Sequence, residues 1–455
     1  MEMILEFLRD ILSQPALLIG IMSCVGLIAL KRPFHKIMTG TLKPILGYLM
    51  LAAGAGVIVS NLDPLGKMIE HGFHITGVVP NNEAIVAVAQ KVLGVETMSI
   101  LVVGLLMNLF IARFTKFKYV FLTGHHSLFM ACLMSAVLGT AGLSGIELIL
   151  VGGFLMGAWS AISPAIGQSY TSKVTDGDEI ALGHFGSLGY YLSAWVAKYV
   201  GKAEESTEDI EIPEKWGFLR DSTLSTALTM IVFYLIAAIA AGSEFVATLS
   251  GSMSPYLFAI MSAMNFAVGV AIVYSGVRMI LGDLIPAFQG IATKIIPNAI
   301  PAVDCAVFFT YAPTAVVLGF ISSFIGGIIG MLILGAVGGV LIIPGLVPHF
   351  FCGATAGIYG NATGGRRGAA VGAFLNGLAI TFLPALALPV LGQLGFQNTT
   401  FGDADFAVIG LVLGNAFEWI GMAGIYGVVV IAALVLIIPN FIKTKGKVIN
   451  YVEEE

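Results

Sequence analysis

Residues 304–366 read DCAVFFTYAPTAVVLGFISSFIGGIIGMLILGAVGGVLIIPGLVPHFFCGATAGIYGNATGGR. Between the aspartate and the arginine lie about sixty residues whose only titratable side chains are His349, Cys305, Cys352 and two tyrosines. Soluble domains of ordinary composition do not leave so long a stretch free of charge. Hydrocarbon is the solvent that suits it. In that solvent Asp304 is the most informative residue, because a carboxylate at the centre of a membrane helix costs roughly 2.5–3.5 kcal/mol on the insertion scale and so needs a partner or a task.

The rest of the 455-residue chain agrees: 57% of residues are hydrophobic, 11% are charged, and the mean hydropathy is +0.94. Further charge-free windows run over 245–277, 368–402 and 419–442. Each exceeds the roughly 20 residues needed to cross a hydrocarbon core about 30 Å thick. The fold class is therefore an all-α polytopic membrane protein. Spans are expected at about 15–30, 43–61, 97–113, 119–140, 144–165, 223–243, 255–281, 305–325, 326–345, 368–392 and 406–441, the last broken at Gly414–Asn415. The pieces 84–94 and 346–360 are too short or too polar to cross alone and read as re-entrant. Segments 32–42 and 283–295 read as amphipathic helices along the membrane surface, the second with Leu284, Ala287, Phe288, Ile291 and Ile295 on one face.

Basic residues set the orientation. Lys31, Arg32, Lys36 and Lys43 follow the first span, Arg113, Lys116 and Lys118 the third, and Lys443, Lys445 and Lys447 the last. The positive-inside bias puts these clusters and the C-terminus in the cytoplasm and the N-terminus outside. Met1 to Asp10 is acidic and amphipathic, so no cleavable signal is expected. The net charge of −5 carries no nucleic-acid meaning, since the acids cluster in the loop 204–214 and in Glu453, Glu454 and Glu455. The polar segment 198–221 divides the chain into a first membrane half, 1–222, with an amphipathic and cytoplasmic loop at 166–222, and a second half, 223–442, followed by a tail, 443–455. The halves resemble one another weakly. Pro80-Asn81-Asn82-Glu83 and Pro301-Ala302-Val303-Asp304 each precede an apolar piece, and His125 and His349 follow. Repeats of this kind set substrate sites where broken helices meet near the midplane.

The candidate ligand residues follow from that picture. Asp304 can cap a helix start after Pro301, where a negative charge is favoured, and can also accept charge-assisted bonds from hydroxyls. His125, His184 and His349 lie in or beside apolar segments broken by glycine or proline. Imidazole can donate to an anionic or hydroxylated ligand. His349 also fits a plain helix-to-helix hydrogen bond. Asn82 and Glu83 are the first-half counterparts of Asp304, and Ser187 stands close enough to His184 to share its role. The four cysteines show no CxxC spacing and read as small buried residues. Gly364-Gly365-Arg366-Arg367-Gly368 lacks the strand and Lys-Ser/Thr of a phosphate-binding loop and reads as a cytoplasmic turn. No HExxH, GxSxG or nucleotide-binding motif is present. No cofactor and no metal are expected, and whatever energises the protein belongs to another chain.

Taken together, Gly40-Thr41-Leu42-Lys43, Leu122-Thr123-Gly124-His125, Val174-Thr175-Asp176-Gly177, Gly276-Val277-Arg278-Met279, Ala302-Val303-Asp304-Cys305-Ala306, Ala312-Pro313-Thr314-Ala315 and Ile342-Ile343-Pro344-Gly345 give the chain its affinity. It resembles, nearly end to end, membrane subunit IIC of the ascorbate-type phosphoenolpyruvate-dependent phosphotransferase system, the UlaA/SgaT family. The resemblance implies a homodimer with about eleven transmembrane segments per protomer, and a mobile core moving in an elevator fashion. It implies import of ascorbate or a related sugar acid across a bacterial cytoplasmic (inner) membrane, with phosphorylation by a separate IIB subunit that is served by IIA. The chain itself would then be a transport subunit and not an enzyme. His125, His184 and Asp304 match family positions that line the substrate site. Where ascorbate members carry glutamines beside the first two histidines, this chain has His126-Ser127-Leu128-Phe129 and Phe185-Gly186-Ser187. That difference leaves another acidic or polyhydroxy sugar open. The competing reading is an ion-coupled secondary transporter for a polar or anionic small molecule, with Asp304 and Glu83 as ion sites.

Overall fold

The architecture was obtained as a computed structural model that describes residues 11, 14–74, 77–80, 82–210, 222–392 and 399–441. The tail 443–455 therefore lies outside the described residues. In chain order the elements are α1 (Pro15–Ala29), α2 (Phe34–Phe73), β1 (Val79–Pro80), α3 (Asn82–Phe114), β2 (Tyr119–Phe121), α4 (Gly124–Thr140), α5 (Gly145–Thr175), β3 (Ala181–Leu182) and α6 (Ser187–Val200). There follow α7 (Ser222–Ala241), α8 (Ser243–Ser250), α9 (Pro255–Lys294), β4 (Ile300–Val303), a 3₁₀ helix (Cys305–Thr310), α10 (Pro313–Ala336), α11 (Leu346–Gly392), β5 (Thr399–Thr400), α12 (Ala404–Ile420), α13 (Met422–Ile437) and a last 3₁₀ turn (Ile438–Phe441). Among the described residues seven helices are long and apolar enough to cross a membrane, or eight if the bent pair α7–α8 is one span. The molecule is a mostly helical, multi-pass membrane protein.

The helices pack as two bodies. α1, α2, α7, α8 and α9 pack on one another, and α3 to α6 with α10 to α13 form the second group. Each body draws elements from both sides of residue 222. Within the first body α2 and α9 lie backbone to backbone. A Cβ on Gly54 would stand 2.7 Å from the Gly269 carbonyl oxygen, and one on Gly269 would stand 2.9 Å from that of Gly54. Small residues at such crossings are what let helices associate in lipid, where burying apolar surface gives no advantage.

The segments 32–42 and 283–295 are not separate surface helices. They continue α2 and α9, each of which runs 40 residues. The apolar face of the second, Leu284, Ala287 and Ile291, is buried, with Gly26 of α1 packed against Ala287 and Ile291. The amphipathic pattern reflects a helix neighbour there, and not the membrane surface. The expected spans 305–325 and 326–345 are a 3₁₀ turn, the single helix α10 and an extended tail. Gly338, at φ +70°, stops the helix, and the apolar chain runs on beside β1, with Ile343 N–H donating to Val78 O at 2.9 Å. The break in 406–441 falls at Gly421, at φ +61°, and not at Gly414–Asn415. Apolar composition does not distinguish a helix from an extended strand, which is why the spans were misdivided.

α11 is a hairpin. Its backbone leaves the helical region at Gly364 and Gly365, the latter at φ +60°. Methyl groups built on Gly360 and Gly368 would collide with each other's carbonyls, so the chain doubles back. Its two arms therefore run antiparallel, and the reversal falls at the turn expected at 364–368. The loop 201–209 seals this turn. Arg366 N–H donates to Glu205 O at 2.8 Å, and Thr207 N–H donates to the Asn361 side chain at 2.8 Å. Glu208 accepts from the N–H groups of Thr314 and Ala315 at 3.1 Å, capping the start of α10. Because the α2–α9 crossing tolerates no side chain, Gly54→Val should cost about 1–3 kcal/mol by overpacking. Its thermal unfolding midpoint in detergent should fall below wild type. Gly56→Ala, which faces open space, should leave it unchanged.

Candidate functional site

Five short strands do the positioning. β2, β4 and β3 form a parallel sheet, with Phe121 opposite Ala302 and Leu182 opposite Val303. β1 pairs in parallel with β5. Each strand gives way within a few residues to a helix, and those helix starts gather round one space. Non-helical backbone at this depth survives only when its polar groups are paired inside protein or face a cavity. Here the strands pair with one another, and the bonds Leu122 N–H to Ala302 O (2.9 Å) and Gly183 N–H to Val303 O (2.7 Å) carry the pairing to the strand ends.

The space is a cavity of about 710 Å³ between the two bodies. Tyr48 and Leu51 of α2 line one side. His125, His126, His184, Asp304 and Asp403 line the other. Phe129, Phe324 and Phe351 supply apolar wall. Positive helix ends favour negative charge. α4, α6, α11 and α12 all begin at or close to this wall, and the cavity also carries the carboxylates of Asp63, Glu70, Asp304 and Asp403 and the ammonium of Lys67, so it offers both donors and acceptors to a hydroxyl-rich guest.

Asp304 is 8% exposed and is the N-cap of the 3₁₀ helix, accepting from Ala306 N–H at 3.1 Å on Oδ1. Its Oδ2 lies 3.4 Å from His125 Nε2. The capping and ligand readings of Asp304 are thus compatible, since each oxygen faces a different group. An ionised carboxylate only accepts, so Nε2 of His125 carries the proton and Nδ1 of the neutral ring accepts from the Tyr48 hydroxyl at 3.2 Å.

The other two imidazoles are pinned by backbone. His126 Nδ1 accepts from Phe185 N–H at 3.3 Å. His184 Nδ1 accepts from Gly186 N–H at 3.1 Å and from the Tyr190 hydroxyl at 2.9 Å. A backbone N–H cannot reverse its role, so both neutral rings carry their proton on Nε2. Their centroids are 3.8 Å apart. The site therefore offers paired N–H donors beside a carboxylate acceptor.

Two sets of side chains, His126 with His184 and Asp403, and His184 with Asp304 and Cys305, bring their donor atoms within 4.8 Å of one another. A metal on Nε2 of His126 or His184 would drive the proton to Nδ1, against backbone N–H groups already pointing there. Coordination through Nδ1 would strip those N–H groups of their acceptor, at the cost of unpaired buried donors. The donor set fits an oxygen-rich ligand better than a metal.

Of the residues singled out by sequence, the structure brings Asn82, His125, His184 and Asp304 to the cavity. Asn82 is held: its amide donates to Asp403 Oδ2 at 2.6 Å, and its oxygen accepts from Gly402 N–H at 2.9 Å. The side chain of Glu83 lies outside the described residues. Ser187 sits behind the wall, donating to Asp405 Oδ2 at 2.7 Å. His349 is buried against Ser323, with Nδ1 2.9 Å from its hydroxyl, the helix-to-helix contact that its sequence context allowed.

Sequence reading missed Tyr48, His126, Asp403 and Asp405. Asp403 accepts the Cys352 thiol at 3.0 Å as well as Asn82, and lies 3.8 Å from His184 Nδ1. Asp405 takes three donors: Ser187, Leu188 N–H at 2.9 Å and the Trp159 indole at 3.1 Å. Two acids in Gly402-Asp403-Ala404-Asp405, at the edge of an apolar run, were the available signal.

A family model described as the PTS system sugar-specific permease component matches residues 10–405. The chain is also 26% identical over 417 residues to a protein of Mycoplasma pneumoniae described as the ascorbate-specific PTS system EIIC component. That match covers 78% of this chain and 62% of the relative, so the chain spans about three fifths of the relative's length. The family match takes in the helix starts, the strands and nearly all of the cavity wall, and the chain belongs to the sugar-specific permease (IIC) family of the phosphotransferase system.

Proposed function

We propose that this chain is the substrate-translocating IIC subunit for ascorbate or a closely related sugar acid. The observation that carries the reading is the cavity itself. Imidazole N–H donors fixed by backbone face a space shared with a carboxylate acceptor and with positive helix ends. A sugar acid has the complementary groups: an anionic or enolic oxygen for the donors and hydroxyls for Asp304. Charge-assisted hydrogen bonds of this kind are the strong ones.

The bound substrate is then phosphorylated by a separate IIB subunit supplied by IIA. Phosphorylation adds about −1.5 to −2 charges. The product repels Asp304 and Asp403 and leaves toward the cytoplasm, which makes uptake one-way. The phosphoryl chemistry belongs to IIB, so this chain needs only to hold the substrate and expose it. The two helical bodies with the cavity between them support an elevator movement, in which the second body carries the site past the first. Eleven crossings per protomer, a homodimer in lipid, and cytoplasmic basic loops with the N-terminus outside belong to the same reading and rest on the family resemblance and the distribution of lysine and arginine. The likeness of the halves 1–222 and 223–442 gains support from Asn82 and Asp304, each of which stands beside a helix start at the cavity.

In proteoliposomes loaded with phosphoenolpyruvate, the general phosphocarriers, IIA and IIB, external ascorbate should appear inside as its phosphate ester. Accumulation driven by an ion gradient without those partners would instead establish the ion-coupled alternative. Asp304→Asn should keep the fold, because asparagine caps helix starts as well as aspartate does. Removing the charge from its hydrogen bonds should cost about 1.5–3 kcal/mol of ligand binding, roughly 10–100-fold in Kd by calorimetry. His184→Ala should lose one neutral donor and weaken binding about five-fold. Normal ascorbate binding by Asp304→Asn would remove that residue from the site.

A further inference from the structure

Tyr48 lines the cavity from the first helical body, as do Asp63, Lys67 and Glu70 further along α2, but its hydroxyl meets a side chain of the second body, where His125 and Asp304 lie. It is 6% exposed and lines the cavity. Its neighbour Gly47 is pressed against α9, where a Cβ would stand 2.8 Å from the Gly276 carbonyl oxygen and 2.9 Å from the Ile280 nitrogen. The hydroxyl is thus carried by one of the tightest stretches of the first body and projects from a fixed point.

We infer that Tyr48 is a positioning residue of the ligand site, supplied across the gap between the bodies, and that it sets the aim of His125, whose tautomer Asp304 already fixes. This inference rests on the proposed function for its ligand. Nε2–H donates to Asp304 and the tyrosine hydroxyl donates to Nδ1 of the neutral ring, so the imidazole is held at both nitrogens. Nδ1 of His126 and of His184 is held by backbone N–H groups within their own body, so those rings keep their aim wherever that body moves. His125 does not. Only while α2 faces α4 is its Nδ1 occupied, and its side chain, 38% exposed to the cavity, has no other hydrogen-bond partner fixing Nδ1 among the described residues. The site is therefore complete in one relative placement of the bodies and loses the aim of one imidazole in another. Ligand affinity and body position are linked through this phenol, as linkage requires of any group that contacts one state and not the other.

The test uses the full chain in lipid nanodiscs, with ascorbate as the probe ligand. Tyr48→Phe removes one oxygen and keeps the ring, so packing is preserved. It should weaken ascorbate binding about five-fold, the worth of one net hydrogen bond. In a His125→Ala background the same change should have no further effect, since its target is gone; additive losses would show that Tyr48 acts by some other route and overturn the inference. A second readout needs no ligand. In protein labelled with ¹⁵N-histidine, which has seven such residues, Tyr48→Phe should move the imidazole signals that vanish in His125→Ala and leave the others in place. Unchanged signals overturn the inference. If wild type fails to bind ascorbate, the substrate assignment fails, while the spectra still decide the role of Tyr48.

Discussion

Every helix that begins inside the membrane presents unpaired N–H groups, and in hydrocarbon each unpaired group costs several kcal/mol. The same constraint applies to non-helical backbone, and the short strands that lead into α3, α4, α6, the 3₁₀ helix and α12 meet it by pairing with one another. Phe121 with Ala302 and Leu182 with Val303 hold three segments from distant parts of the sequence edge to edge. Side chains at the strand ends then fall close together: His125 and His126 after β2, His184 after β3, Asp304 after β4. The site is a by-product of paired backbone. Remove the pairing and neither the carboxylate nor the imidazoles would have a reason to share one cavity.

What the site can do follows from which atoms are already engaged. Two histidines accept from backbone, so their outward nitrogen is a donor by default and not by the pH of the medium. Asp304 uses one oxygen as a cap and turns the other to His125. Asp403, by contrast, is consumed by Asn82 and Cys352 and braces the wall. A second tier lies behind it, where Asp405 gathers Ser187, Leu188 and Trp159 and fixes the start of α6 against α5 and α12. Acid residues that look alike in the sequence therefore serve three different ends.

Much of this was legible beforehand. Uncharged length disclosed the membrane, and the isolation of Asp304 in an apolar run disclosed its weight. The same logic brought out His125 and His184 and the turn at Gly364-Gly365. It failed where contact, and not composition, decides. Tyr48 sits in an ordinary apolar helix, and nothing local says that its hydroxyl meets a histidine 77 positions away. Asp403 and Asp405 looked like a loop between spans because their partners lie more than 50, and up to about 320, residues off in the chain. The strands escaped notice for a simpler reason: two to four residues give too short a period to separate extended from helical chain.

The sealed reversal of α11 has a mechanical consequence. Its first arm, 346–363, is a helix about 27 Å long, with Leu346 at the floor of the cavity and Asn361 and Gly365 gripped by the loop 201–209. A helix of that length transmits a push along its axis with little bending. The same loop also holds the first turn of α10 through Glu208. That small polar knuckle and the cavity floor are thus the two ends of one stiff strut.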